Sequence, residues 1–252
     1  MGVHKTYKSR GLVLKQTAIG EADRVVTIFS PDFGKLRAVA RGIRRPKSKL
    51  AGHLEPLTYV SVSISKGRTL DVISDAQTLN NFRQIRESLP LVSGALYLSE
   101  LTESFSTEQE SNDNLFMLLL QCLQTLPLLD DISILIRWFE MRVLDLSGFK
   151  PEFYECVECR LTLERSDYSF SSASGGVLCN SCKIYSSDSL LPLTIATNKV
   201  LRHYQNQPLR NVISLSVPPK VGAEMTRLLR SYTKYVLERK LKSIEFMDLV
   251  VE

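Results

Sequence analysis

Two Cys-x-x-Cys pairs constrain this chain more than any other feature of its sequence. Cys156 and Cys159 form the first pair, and Cys179 and Cys182 follow after nineteen intervening residues. This spacing is typical of a zinc site with four thiolate ligands, in which each pair lies at a tight turn and both pairs share one ion. Such a site has no open coordination position. The sequence therefore predicts one structural zinc ion, held in an insert that spans residues 149–187.

The residues between the pairs favour an insert that depends on its metal. Short β-like runs occur at Leu161–Leu163 and Tyr168–Phe170, and a Ser-Gly turn follows at Ser171–Gly176. A segment of about thirty residues with so little apolar material would take its folding energy from the metal. The alternatives are two disulfides or a redox-active thiol pair. A redox site is more typical of a lone Cys-x-x-Cys at a βα junction.

The cysteine count and the apolar runs bear on the cellular compartment. The fifth cysteine, Cys122, lies in an apolar helical pattern and is predicted to be a core residue. An odd cysteine beside two zinc-type pairs indicates a reducing compartment. Residues 1–10 are polar and basic, unlike a secretory signal, and polar residues interrupt the apolar runs at 115–129 and 132–143. We therefore expect a cytoplasmic protein without a membrane span.

Positive charge is concentrated at the start of the chain. The net charge of the whole chain is +5, but residues 1–49 contain twelve Lys or Arg and three acidic residues, which gives +9. The remaining residues carry a net charge of −4. A segment so unbalanced suits a polyanionic ligand. A solvated basic face without a ligand is the alternative.

The first eighty residues read as five short strands joined by turns. Apolar and polar residues alternate within 35–41 and 59–64, so these strands are predicted to have one buried face. Five strands in about seventy-five residues are typical of a small closed barrel of the OB kind. The predicted fold class is therefore α+β with several domains: an OB barrel at 1–80 and a helical bundle domain at 81–252 that contains the four-cysteine insert.

The third strand and the loop after it form the predicted nucleic-acid site. Alternate positions of the strand place Lys35, Arg37 and Arg41 on one outward face, about 6.5–7 Å apart at each step. The loop adds Arg44, Arg45, Lys47 and Lys49. Exposed cations in such a row suit a phosphate backbone, and Tyr59 or Phe33 would stack on bases. A charged strand edge that prevents aggregation is the alternative.

A helical period replaces the strand period after about Leu89. One apolar stripe runs from Leu115 to Leu126, and a second from Ile132 to Val143 with Asp130 and Asp131 as cap candidates. Further helices are predicted at 90–105, 194–205 and 221–241, with an irregular connector at 208–219. These stripes are more typical of a bundle core than of a cofactor site.

The last predicted helix carries a second basic stripe. Arg227, Arg230 and Lys234 lie three and four residues apart, next to apolar positions such as Leu228 and Tyr235. A groove that is partly apolar and partly basic would accept an acidic peptide. The alternative is a charged face that contacts only water.

Catalytic motifs are missing from the chain. The three histidines are not in a His-Glu-x-x-His arrangement, and the sequence contains neither a Gly-x-x-x-x-Gly-Lys loop nor a Lys-x-Asp-Gly ligase signature. Acidic pairs such as Asp130-Asp131 lie where a helix is predicted to start and suit its dipole. We therefore expect a protein that is not an enzyme.

The ordered set of segments resembles the RecO family of bacterial recombination mediators over essentially the whole chain. In addition to the four-cysteine insert, the segments that carry the resemblance are Gly11–Leu14, Gly20–Thr27, Phe33–Lys35, Ala40–Ser48 and Leu241–Ser243. The resemblance implies a nucleoid-associated bacterial protein whose OB domain binds single- and double-stranded DNA. It also implies annealing of complementary strands and, with the partner RecR, loading of RecA onto single strands coated by single-stranded-DNA-binding protein (SSB).

The same resemblance implies binding of the acidic, Phe-ended C-terminal tail of SSB. Arg227, Arg230 and Lys234 are the candidate contacts, because such a tail needs cations beside an apolar pocket. Charge alone leaves an RNA-binding or ribosome-associated OB protein open as an alternative function. A nucleic-acid enzyme is a third class, which the missing motifs disfavour.

Overall fold

A computed structural model of the chain describes residues 6–164, 166–187 and 189–251. The chain folds into two compact units. One unit extends to Leu128 and also includes the segment from Ser243 onward; the other is Leu129–Lys242. The first unit is therefore larger than the barrel domain predicted at 1–80, because helices that follow the barrel in sequence pack with it.

Five strands form a closed barrel, which confirms the predicted OB-like fold of the N-terminal region. They are β1 (Thr6–Ile19), β2 (Asp23–Ser30), β3 (Gly34–Ala40), β4 (Tyr59–Ser65) and β5 (Asp71–Asn80). Their order around the barrel is β1-β2-β3-β5-β4. β3 and β5 run parallel and pair at Ala38–Asp71 and Val39–Val72, while β1 and β4 run antiparallel and close the barrel.

Alternation along the strands fills the barrel with apolar side chains. Leu36, Ala38 and Ala40 of β3 are buried, as are Val60, Val62 and Ile64 of β4. Gly11 of β1 is required at its position by close packing, since a Cβ there would lie 2.5 Å from Ile28 Cγ2 and 2.6 Å from the carbonyl oxygen of Phe29. The predicted inward face of β3 is therefore confirmed.

Helices complete the unit that contains the barrel. Three follow the barrel directly and the fourth is at the C-terminal end of the described residues: α1 (Arg83–Arg86), α2 (Leu89–Phe105), α3 (Asp113–Thr125) and α8 (Lys242–Val251). Ser243 attaches the first turn of α8 to α2. Its backbone N–H and its hydroxyl both donate to Glu100 Oε2, at 2.8 and 2.5 Å. The C-terminal segment thus returns to the unit that holds the barrel.

The second unit combines helices with a small sheet. The helices are α4 (Ile132–Leu146), α5 (Ile195–Asn206), α6 (Leu209–Val212) and α7 (Pro219–Leu237); the strands are β6 (Tyr168–Ser171), β7 (Gly176–Leu178) and β8 (Leu190–Leu193), in the order β7-β6-β8. Asp131 caps α4, because its side chain accepts from Ser133 N–H at 2.8 Å. Gly148, at φ +81°, lies two residues beyond the end of α4.

Two predicted elements of the second unit differ from the structure. The connector at 208–219 contains the short helix α6. The last helix does not continue to residue 241, because Glu238 adopts the left-handed conformation (φ 53°) and its N–H bonds to the carbonyl of Tyr235. Arg239 and Lys240 therefore lie beyond the end of α7. Among the described residues, none of the helices has the length and apolarity that a membrane crossing requires.

Candidate metal centre and nucleic-acid interface

The four cysteines predicted to bind metal converge in the second unit. The sulfur atoms of Cys156, Cys159, Cys179 and Cys182 all lie within 4.8 Å of one another. Cys159 Sγ and Cys179 Sγ are 3.8 Å apart. A tetrahedron of sulfurs about 2.3 Å from a central Zn²⁺ has edges of about 3.8 Å. This distance between the two pairs therefore matches the edge of a tetrahedron around a shared ion.

Backbone hydrogen bonds shape each pair into a tight turn. In the first turn, Arg160 N–H bonds to the carbonyl of Cys156 at 2.9 Å, and Arg160 has φ 60°. In the second, Lys183 N–H bonds to the carbonyl of Cys179 at 3.0 Å. Cys179 N–H also points at Cys156 Sγ, at 3.4 Å. Such N–H···S contacts orient thiolates and offset their charge.

The small sheet holds the first turn against the helices. Val157 N–H bonds to the carbonyl of Val177 in β7 at 2.9 Å. Gly176 lies so close that a Cβ there would be 2.5 Å from Val157 Cγ1. Phe170 of β6 stacks on Phe153 at 5.7 Å and meets Tyr232 of α7 edge-on at 5.5 Å. Aromatic contacts therefore pack the cysteine insert onto α7.

The pKa values of the Cys156 and Cys182 thiols are shifted in opposite directions. Burial of the Cys156 thiol opposes ionisation, but hydrogen bonds from the backbone of Cys159 and Cys179 outweigh this and lower its pKa to about 6. Hydrogen bonds to the sulfurs of Cys179 and Cys159 keep the Cys182 thiol protonated and raise its pKa to about 12. A divalent ion supplies the positive charge that lets all four thiols ionise together. These four cysteines can hold a metal ion, and thiolate donors suit Zn²⁺.

The basic loop after β3 is exposed, as predicted. Arg41, Arg44, Arg45, Lys47 and Lys49 all reach solvent. In the part of the chain that the structure describes, none of the five forms an ion pair. The loop is nevertheless ordered at its start, since Arg44 N–H and its guanidinium donate to the carbonyls of Ala22 and Glu21, both at 3.0 Å.

The other two predicted cations, Lys35 and Arg37, are engaged by a distant segment. Lys35 Nζ donates to the carbonyl of Glu103 at 3.1 Å, and Arg37 Nη1 lies 3.5 Å from Glu108 Oε1. The backbone of Lys35 also exchanges hydrogen bonds with Thr107 and Gln109, so the loop after α2 lies along the edge of β3. The structure therefore brings the seven cations to one strand and its loop. Of the seven, only Arg37 forms an ion pair within the described residues, while Lys35 and Arg44 donate to backbone carbonyls.

The two aromatic candidates are placed differently. Tyr59 is half-buried, with its ring centroid 5.9 Å from that of Phe116, so part of the predicted stacking surface is covered. Phe33 is 38% exposed and packs at 5.1 Å against Tyr7. Lys66 Nζ lies 5.8 Å from the centre of the Tyr7 ring. Sequence reasoning missed Tyr7 and Lys66, because they are 59 positions apart in the chain and no local pattern links them.

The three basic residues of α7 do not share one environment. Arg227 and Lys234 are exposed, whereas Arg230 is half-buried. Lys234 lines a groove of about 1130 Å³ with Phe149, Tyr235 and the serine-rich turn at 172–175. Phe149 and Tyr235 are 45% and 53% exposed, so the groove offers apolar surface beside one cation, Lys234, and one carboxylate, Glu238. Arg227 and Arg230 do not line it.

Comparison with known proteins identifies the family. The model of the family described as "Recombination protein O N terminal" matches residues 3–82, and "Recombination protein O C terminal" matches residues 86–245. Among curated relatives, "DNA repair protein RecO" of Dehalococcoides mccartyi is 34% identical over 96% of this chain and 95% of its own length. The proteins of the same name from Roseiflexus sp. (36% identical; 97% of this chain, 86% of the relative) and Desulforamulus reducens (34%; 97% and 94%) are similar. Together with the OB-like barrel and the four-cysteine cluster, these matches show that the chain belongs to the RecO family of DNA repair proteins.

Proposed function

We propose that this chain is a non-catalytic mediator of DNA repair and homologous recombination. It binds single- and double-stranded DNA, anneals complementary strands and, with RecR, helps load RecA onto SSB-coated single strands. The observation that carries the DNA-binding part is the basic loop: five exposed cations without carboxylate partners, within the described residues, next to β3 of an OB-like barrel. Family membership supports the remaining steps. Such a protein would act in the bacterial cytoplasm, at the nucleoid.

Annealing follows from charge without a covalent step. Arg and Lys side chains that contact phosphates release condensed counterions, so binding is favourable at low salt and independent of sequence. A protein that neutralises phosphates on two strands lowers their mutual repulsion and raises their local concentration. The five loop cations supply contacts of this kind.

The cysteine cluster is proposed to bind one structural zinc ion. A four-thiolate zinc site is coordinatively closed, so the ion contributes folding energy and no Lewis-acid position. The residues that would hold it are Cys156, Cys159, Cys179 and Cys182. The backbone donors described above would orient their sulfurs.

The SSB tail is proposed to bind in the second unit, beside α7. An acidic peptide that ends in Phe requires a cation next to an apolar recess. Lys234 provides the cation, and Phe149 and Tyr235 provide apolar surface in the same groove. Arg227 and Arg230 would then attract the approaching tail by their charge without contacting it once it is bound.

The experiment is annealing of complementary oligonucleotides coated with the SSB of the same organism, with and without this protein. Acceleration that requires the SSB tail is the expected result. DNA binding without acceleration would contradict the mediator function. Preference for RNA over a DNA of matched sequence would instead support the alternative of an RNA-binding OB protein.

A further inference from the structure

An aromatic pair, Phe33 and Tyr7, lies at one end of the barrel, apart from the basic loop that carries the proposed DNA binding. Phe33 belongs to the turn between β2 and β3 and is 38% exposed, and its ring centroid is 5.1 Å from that of Tyr7 at an interplanar angle of 53°. Tyr7 packs against the barrel core. Its hydroxyl donates to Asp71 Oδ2 at 2.8 Å. Phe33 therefore rests on a fixed ring and keeps part of its surface open to solvent.

Close packing and hydrogen bonds hold the turn that carries Phe33 in place. Gly34 has φ +61°, and a Cβ at this position would lie 1.8 Å from the carbonyl oxygen of Glu110. The side chain of Ser30 accepts from the N–H groups of Asp32 and Phe33 at 3.2 and 3.3 Å. An exposed aromatic ring on an ordered turn loses little conformational entropy when a ligand covers it.

One cation adjoins the aromatic pair, and a second lies in the same loop. Lys66 Nζ lies 5.8 Å from the Tyr7 ring centre, and Arg68 in the same β4–β5 loop is exposed. Neither residue forms an ion pair in the described part of the chain. The nearby carboxylate of Asp71 is occupied by Tyr7 on one oxygen and by Gly67 N–H on the other. An open ring beside unpaired cations is the combination that single-strand binding proteins use for a base and its phosphates.

We propose that Phe33, supported by Tyr7, is a stacking platform for an unpaired base, and that Lys66 contacts an adjacent phosphate. This inference rests on the proposed function, because it names the barrel residues that contact bases. The platform lies before β3 and the basic loop lies after it, so the seven residues of the strand separate the two by about 20 Å. A single strand would then be held at two places: through a base at Phe33 and through phosphates at the loop.

The test compares three ligands of equal length: oligo(dT), an abasic oligonucleotide with the same phosphates, and a duplex. The variant is Phe33→Leu, which keeps apolar contact with Tyr7 but removes the aromatic face. Leu79→Ala, which removes a side chain that is 46% exposed elsewhere on the barrel, is the matched control. Thermal unfolding confirms that both variants fold. We expect Phe33→Leu to weaken oligo(dT) binding about five- to tenfold, with abasic and duplex binding unchanged.

Each other outcome decides against the platform. An equal loss on all three ligands would mean that Phe33 supports the turn without contacting a base. Unchanged oligo(dT) binding would exclude stacking at Phe33. If the unaltered protein bound none of the three ligands, both the proposed DNA-binding function and the platform would be excluded. If it bound them normally and Phe33→Leu changed none of the affinities, only the platform would be excluded.

Discussion

Arg37 Nη1 lies 3.5 Å from Glu108 Oε1, so a carboxylate from the loop after α2 faces the basic surface of β3. Both side chains are about half exposed, at 49% and 54%, and an ion pair of this kind contributes only about 0.2–1 kcal/mol. A phosphate can therefore displace Glu108 at small cost. The pair reduces the positive potential of β3 without blocking it.

Removal of this carboxylate should strengthen DNA binding. Glu108→Gln frees Arg37 and deletes a negative charge near the proposed path of the backbone, so we expect Kd for single-stranded DNA to fall about two- to fivefold at low salt. Fluorescence anisotropy measures this change. Glu87→Gln, which opens a comparable exposed pair with Arg83, is the control and should have no effect. Equal gains in the two variants would mean that only net charge matters.

The basic loop should bind phosphates irrespective of sequence. Arg41→Gln and Arg45→Gln each remove one cation, so each should lower affinity for all sequences alike and reduce the slope of log Kobs against log salt by about 1. Titrations at several salt concentrations, on two oligonucleotides of different sequence, test this prediction. Lys199→Gln, an exposed change on α5, serves as control. A loss confined to one sequence would indicate base readout instead.

The cysteine cluster should hold one zinc ion per chain and depend on it for stability. Cys179→Ser should abolish bound zinc in elemental analysis and lower the melting temperature, because structural zinc contributes directly to folding. A strong chelator should destabilise the unaltered protein in the same way. Cys122→Ala alters a buried cysteine outside the cluster and should retain the zinc. Retention of zinc by Cys179→Ser would contradict the four-ligand site.

Substitutions of the basic residues of α7 should differ in their effect on peptide binding. Lys234→Ala should weaken binding of an acidic, Phe-ended peptide by about 1 kcal/mol, because Lys234 lines the groove, and Arg227→Ala should change it less. Isothermal titration with a synthetic peptide measures both. Equal losses, or a larger loss in Arg227→Ala, would place the peptide outside the groove.

A buried ion pair in α4 should be important for stability. Arg137 Nη1 lies 2.9 Å from Glu140 Oε2, and the two side chains are only 5% and 0% exposed. Glu140→Gln would leave the guanidinium charge without its carboxylate, so we expect a loss of about 3–5 kcal/mol in the free energy of unfolding. Urea denaturation measures it. The double change Arg137→Met with Glu140→Leu should recover much of the lost stability, because it removes both buried charges. If Glu140→Gln destabilised the protein only through steric effects, the double change would not recover it.

Elements whose signals are local could be predicted from the sequence alone. Alternation along 35–41 predicted the inward face of β3, the Asp131 cap predicted the start of α4, and the spacing of Cys156 to Cys182 predicted a shared metal site. Each of these depends on steric or coordination rules that act within one segment or on one ligand set. The family resemblance was carried by the order of such segments.

Which of these residues are available to a ligand depends on contacts between segments far apart in the chain. Glu103 and Glu108 contact β3 from about seventy positions away, Phe116 covers part of Tyr59, and Tyr7 meets Phe33 across the end of the barrel. No local sequence pattern predicted the end of α7 at Glu238 or the attachment of α8 through Ser243. Solvent exposure and pairing are set by long-range packing, and a single sequence contains no periodic signal for contacts between distant segments.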